Sequence, residues 1–219
     1  MTPFRNAWNR VIYAGWSLVY NGLIQLPPYR RGRELLWRMA EPVAGERVLL
    51  VGVGTGIDLD YLPAGATVTG IDLSPSMLRL ARRRAEDHNR AGRNLGVQFI
   101  QGDAQQLPCV EGEFDLVVLA LILSVVPEPV PCLAEAVRAC KPGGRILVFD
   151  KFLAESAQPR PIRRIINLLT RVFGTDINRR FEEIAAGLPL KVCEDRPLAP
   201  GSSFRAIELR HTPSRPAEQ

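Results

Sequence analysis

The apolar run Val48-Leu49-Leu50-Val51 leads straight into Gly52-Val53-Gly54-Thr55-Gly56. Such a run is a strand ending in a glycine loop, whose backbone turns sharply and approaches a ligand at the carboxyl end of the strand, where open α/β sheets bind cofactors. Spacing excludes two familiar occupants. A dinucleotide fingerprint G-x-G-x-x-G needs glycine at 57 or 59, and those positions hold Ile57 and Leu59. A nucleoside triphosphate loop needs Lys followed by Ser or Thr, and neither pair follows. Four acids, Asp58, Asp60, Asp72 and Asp103, fall at or just beyond the ends of the apolar runs and suit a cationic ligand. Asp58 and Asp60 also sit where the first turn of a helix favours anions. Cys109, Cys132, Cys140 and Cys193 form no C-x-x-C pair and read as small buried side chains, while His88 and His211 read as solvated, so no metal site is expected.

A parallel sheet flanked by helices must position these residues. From Glu46 onward short apolar runs alternate with longer amphipathic segments. Expected strands are Arg47–Val51, Thr67–Ile71, Val97–Ile100, Asp115–Leu121 and Arg145–Phe149, with weaker candidates at Leu190–Glu194 and Phe204–Leu209. Ser74 as N-cap and Pro75 at the first helical position open a helix over Ser76–Asn89, and Pro129 opens another that closes at Lys141-Pro142-Gly143-Gly144. An Arg-rich helical stretch, Pro161–Phe173, and a short helix, Ile177–Ala186, follow. Ahead of the sheet lie two helical stretches, Phe4–Gly22 and Arg31–Ala40, split by Pro27-Pro28. The organisation expected is an N-terminal helical cap over 1–45, one α/β domain over 46–210 with a helical insertion at 155–187, and a frayed tail over 211–219.

The chain has 219 residues, of which 46% are hydrophobic and 23% charged, enough for one domain with a buried core. Leu116–Val126, broken by Ser124, is too short to cross a bilayer as a helix. The opening MTPFRNAWNR lacks the apolar core of a secretory signal, so a cytoplasmic location is expected. The net charge of +5 leaves nucleic acid, lipid headgroups or an acidic small molecule open as partners.

The spacing G-x-G-x-G, followed by an acid ending the second strand, resembles the class I S-adenosylmethionine-dependent methyltransferases. Gly102-Asp103-Ala104 after the third strand, Glu113-Phe114-Asp115 at the fourth and Lys141-Pro142-Gly143-Gly144-Arg145 before the fifth recur in that family's order. The resemblance implies a Rossmann-like, seven-stranded, mostly parallel sheet with flanking helices and an N-terminal helical accessory segment. It also implies S-adenosylmethionine as cofactor, S-adenosylhomocysteine as product and no metal. The cofactor residues would be Gly52, Gly54, Thr55, Gly56, Asp72, Leu73, Met77, Asp103, Ala104 and Ala120. Asp72 would take both ribose hydroxyls and Asp103 the exocyclic amine of adenine. Close relatives carry an acid at the third residue of the VLLVG run. Here it is Leu50, which leaves the cofactor's ammonium to carbonyls of the loop and of Ala120 or Leu121, and leaves a cofactor-binding protein without catalysis as an alternative.

Methyl transfer is an in-line displacement that needs alignment and exclusion of water more than acid–base groups. After the fourth strand, nucleobase amine methylases carry an Asn or Asp, Pro-Pro and an aromatic residue. Ala120-Leu121-Ile122-Leu123-Ser124-Val125-Val126-Pro127 is instead an apolar wall, which disfavours nucleic acid. That wall, with Gly-Ile-Asp-Leu-Ser-Pro-Ser-Met-Leu, is similar to the bacterial phosphatidylethanolamine N-methyltransferases and, less closely, to the quinone-biosynthesis methyltransferases. The first resemblance implies an N-terminal helix lying over the cofactor at the membrane surface, with Tyr20, matching a Tyr-Asp pair as Tyr20-Asn21, and Tyr13 as candidates for orienting an amine. Ser124, Arg163, Arg164, Arg179 and Arg180 are candidate acceptor residues, the arginines for a phosphate. The expectation is N-methylation of an amphiphilic amine, with a quinone-like or other small metabolite methylated on C or O as the alternative. The partners expected are a small-molecule or lipid acceptor and an anionic membrane surface on the cytoplasmic side, with no obligate protein partner. The Arg-rich stretch reads either as that membrane contact or as a solvated lid.

Overall fold

The computed structural model describes residues 26–153 and 178–212. The expected helix Phe4–Gly22 and the Arg-rich stretch Pro161–Phe173 lie outside those residues. The described elements run α1 (Pro27–Ala40), β1 (Arg47–Val51), a 3-10 helix (Ile57–Tyr61), β2 (Thr67–Asp72), α2 (Pro75–Arg90), β3 (Gly96–Gln101), β4 (Phe114–Ala120), α3 (Pro129–Ala139), β5 (Cys140–Lys151), α4 (Phe181–Ala185), β6 (Leu190–Pro197) and β7 (Phe204–His211).

The seven strands form one sheet in the order β3-β2-β1-β4-β5-β7-β6. β1 to β5 are parallel, and β7 runs antiparallel between β5 and β6. Strand order reverses between β1, which continues outward to β2, and β4, which continues to β5. The loops after these two strands therefore part and leave a crevice at their carboxyl ends.

Period-two alternation in the strands divides the core. Val48 and Leu50 of β1 pack with Leu116, Val118, Leu147 and Phe149 beneath α1 and α2. Leu49 and Val51 face the other way, with Val117, Leu119, Ile146 and Val148 beneath α3 and α4. β1, β4 and the second half of β5 are buried on both faces, which is why they read as continuous apolar runs rather than alternating ones.

Several boundaries differ from the sequence reading. Pro27 and Pro28 do not separate two helices but occupy the first turn of α1, where a missing N–H costs nothing. α1 packs on the sheet itself, so closely that a Cβ on Gly32 would lie 1.9 Å from the Phe149 ring. Residues 141–144 do not close α3. They belong to β5, as an excursion between the pairs Phe114↔Cys140 and Leu116↔Arg145. β4 ends at Ala120, because Leu121 turns into the left-handed region at φ 61°. Of the expected helix 177–186 only Phe181–Ala185 is helical among the described residues. His211 is not part of a tail: it ends β7, pairs with Leu190, and its Nδ1 lies 2.9 Å from the Cys140 carbonyl.

Candidate active site

The loop after β1 is built on left-handed glycines, Gly52 at φ 69°, Gly54 at 55° and Gly56 at 78°, a backbone that side chains resist. Val53 N–H donates to the Ile71 carbonyl at 2.9 Å and ties the loop to β2. Asp72, the last residue of β2, completes the tie. Its Oδ2 accepts the Gly54 N–H and its Oδ1 accepts the Ser74 N–H, both at 2.8 Å. One carboxylate thus orients the glycine loop and the start of α2, while each oxygen keeps a lone pair for another donor. Burial pushes the Asp72 carboxyl above its ordinary range, against the pull of these two main-chain donors. Ser74 caps α2 as expected, accepting from Met77 N–H at 3.5 Å.

Asp103 follows β3. Its Oδ1 accepts from the Gln105 N–H at 2.9 Å and from Gln105 Nε2 at 3.0 Å. Gly102 N–H donates to the Asp72 carbonyl at 3.1 Å, which joins the two acidic corners. A cleft opens between them and the loop after β4. Gly52, Gly54, Asp72, Leu73, Met77, Asp103 and Ala104 line it from the segments after β1, β2 and β3, and Ala120, Leu121, Ile122, Val125, Val126 and Pro127 from the end of β4 and the loop after it.

Eight residues expected to hold a cofactor, Gly52, Gly54, Asp72, Leu73, Met77, Asp103, Ala104 and Ala120, therefore share this cleft. Thr55 and Gly56 do not line it. Thr55 borders a separate depression with Asp60, Leu80 and Arg84, its hydroxyl buried without a hydrogen-bond partner, and Gly56 packs against Ala81. Ser124 is only 2% exposed and turned from the cleft, its N–H bound to Asp150 Oδ2 at 2.8 Å. Arg179 donates to the carbonyls of Leu123, Val126 and Pro127. Arg180 lies 3.6 Å from Glu183. Tyr13, Tyr20, Arg163 and Arg164 lie outside the described residues.

The remaining acids near the loop serve the fold. Asp58 is buried against α1, accepting from Trp37 Nε1 at 2.9 Å and lying 3.3 Å from Arg33 Nε. Asp60 accepts from Arg84 Nε at 2.8 Å and Nη2 at 2.6 Å, and pairs with His88 Nε2 at 2.7 Å. His88 is consequently held rather than solvated. Its Nδ1 faces Arg93 Nη1 at 3.2 Å, which can only donate, so Nε2 carries the proton that Asp60 receives. Leu50 is buried on β1 between Gly70 and Val118, within the core rather than the cleft. Asp150, missed by sequence reasoning, is fully buried behind the loop after β4.

A profile of the methyltransferase-domain family matches residues 49–148. The phosphatidylethanolamine N-methyltransferase of Cereibacter sphaeroides is 33% identical over 166 residues, a match that spans 76% of this chain and 80% of that protein. The chain belongs to the class I S-adenosylmethionine-dependent methyltransferases. The demethylmenaquinone methyltransferase of Renibacterium salmoninarum is 37% identical over 133 residues, 60% of this methyltransferase and about half, 52%, of that one. Among solved structures, the geranyl diphosphate C-methyltransferase of Streptomyces coelicolor A3(2), in complex with Mg2+, geranyl diphosphate and S-adenosyl-L-homocysteine, superposes with a TM-score of 0.67 at 17% identity, covering 82% of this chain and 79% of that one. At that identity the likeness extends to the fold alone.

Proposed function

We propose that this methyltransferase acts on an amphiphilic acceptor, with a phosphatidylethanolamine-type amine as first candidate. The observation that carries the reading is the make-up of the cleft: the segments after β1 to β3 bring Asp72, Asp103 and glycine backbone to it, and the loop after β4 brings Leu121, Ile122, Val125, Val126 and Pro127. When bound, S-adenosylmethionine supplies a methyl group activated by a positively charged sulfur. In this reading Asp72, already oriented by Gly54 and Ser74, takes the ribose hydroxyls, and Asp103 takes the adenine amine. Carbonyls of the glycine loop and of Ala120 face the cofactor's ammonium. The apolar wall excludes water and holds an acyl or prenyl group by burial alone. An acceptor amine there titrates lower than in water, because desolvation disfavours its charged form, and so presents the lone pair that attack requires. Tyr13 and Tyr20 remain proposed to orient that amine, and Arg163, Arg164 and Arg180 to hold a phosphate.

The extent of the match to the C. sphaeroides enzyme supports the lipid amine. A quinone-like acceptor is the second reading, supported by the R. salmoninarum relative and by an apolar wall that suits a prenylated ring equally well. No helix among the described residues is long and apolar enough to cross a membrane. The test is transfer of radiolabelled methyl from S-adenosylmethionine to phosphatidylethanolamine vesicles and, separately, to demethylmenaquinol. Label in the phospholipid supports the first reading and label in the quinol replaces it with the second. Label confined to water-soluble products of a cell extract overturns both.

A further inference from the structure

The stretches on either side of residues 154–177 meet. Leu153 N–H donates to the Arg179 carbonyl at 2.9 Å, and Phe152 N–H to the Ser203 carbonyl at 2.7 Å. Both stretches also reach the loop 121–127. On the first, Asp150 is 0% exposed and accepts the Ser124 N–H at 2.8 Å. On the second, Arg179 brings one guanidinium to three carbonyls: Leu123, Val126 at 2.7 Å and Pro127 at 3.3 Å. Where the loop begins, Leu121 is left-handed at φ 61°, buried, with its N–H bound to the Phe149 carbonyl at 2.7 Å. A leucine persists in that conformation only where its surroundings impose it.

Neither charged side chain lines the cleft. Each engages main-chain groups of the loop from behind, so that Ile122, Val125 and Val126 are presented forward. A planar guanidinium suits several carbonyls at once, which a single ammonium does not. We propose that Asp150 and Arg179 are positioning residues for the methyl acceptor: gripping the loop 121–127 from the two stretches that flank 154–177, they fix the apolar wall against which the acceptor lies. The proposal rests on the reading above that this wall faces the acceptor.

Hydrogen exchange of the full chain saturated with S-adenosylhomocysteine tests the grip. In Arg179→Ala and Asp150→Asn, peptides spanning 121–127 should exchange about tenfold faster or more while β1 peptides keep their rate. Arg179→Lys should fail to restore protection. Affinity for S-adenosylhomocysteine by calorimetry should fall by a smaller factor than the acceptor KM rises, because Asp72 and Asp103 are anchored by main-chain groups of their own. Kinetics with phosphatidylethanolamine vesicles or demethylmenaquinol, whichever is methylated, should show KM for the acceptor raised more than kcat is lowered. Unchanged exchange at 121–127, or a uniform rise along the chain, overturns the grip. A faster loop with an unmoved acceptor KM overturns its role in positioning. Methylation of neither probe counts against the amphiphile reading, while the exchange data still decide the grip.

Discussion

Replacing Gly52 by alanine tests how closely the glycine loop and the apolar wall approach. Two penalties follow from the structure. At φ 69° an alanine is left-handed, which costs about 1–2 kcal/mol. Its Cβ would also stand 2.6 Å from Ile122 Cδ1 and 3.1 Å from Cγ1, against the roughly 3.5–4.0 Å of a relaxed carbon contact. Cδ1 ends a flexible side chain and can yield, so the crowding falls at the low end of overpacking, about 1 kcal/mol. The sum is about 2–3 kcal/mol, or about 4–12 °C in Tm for a chain of this size. Gly54→Ala separates the two penalties. Its φ is 55°, but its Cβ would meet nothing nearer than the Gly52 carbonyl at 3.9 Å, so only the strain of about 1–2 kcal/mol should appear. Ile122→Val removes Cδ1 itself, and placed with Gly52→Ala it should recover about 1 kcal/mol beyond additivity. Urea denaturation of the single and double variants measures all of these. Additivity within about 0.5 kcal/mol, or a Gly52→Ala no costlier than Gly54→Ala, would refute the reasoning.

Asp72→Asn should weaken S-adenosylhomocysteine about tenfold or more by calorimetry, because the charge-assisted bonds proposed to the ribose would be lost together with one of the two main-chain anchors; a change under about twofold would remove the proposed ribose role. Asp58→Ala leaves Arg33 buried and unpaired and should cost about 3–5 kcal/mol in denaturation, whereas Arg33→Met combined with Asp58→Leu should cost much less. Burial raises the Asp150 carboxyl above its ordinary value of 3.8, so the folded chain holds this proton more tightly than the unfolded one. That contribution to stability is complete below the ordinary value and is lost as pH rises through the folded one. Asp150→Asn removes it, so the stability of the variant relative to wild type should increase with pH across that interval. A flat difference between about pH 4 and 8 would contradict the assignment.

What could be read in the sequence is what short-range physics determines. The glycine loop, the cap at Ser74, and Asp72 and Asp103 at strand ends depend on neighbours a few residues away, and the sequence places all of them where the structure does. The apolar wall was also legible as a composition. What holds it was not, because Asp150 and Arg179 reach it across 26 and 56 positions, distances over which no periodicity reports. The same limit applies to Asp58, readable as a helix-start acid but committed to Arg33 and Trp37 of α1. Pro27-Pro28 misled because proline both breaks helices and begins them, and only the packing of α1 against Phe149 decides between the two. Ser124 is a candidate acceptor residue in the sequence, in a run that is otherwise apolar. Its polarity is instead spent inward on a buried carboxylate.

Leu153 N–H donates to the Arg179 carbonyl, so the described chain on either side of residues 154–177 is joined by a hydrogen bond. Loop-closure entropy adds only about 0.6 kcal/mol for each doubling of the length of chain that connects two such fixed ends. The strand registers and the bonds that aim Asp72 are all made elsewhere. A change in the length of chain between Leu153 and Arg179 is therefore expected to leave these bonds in place.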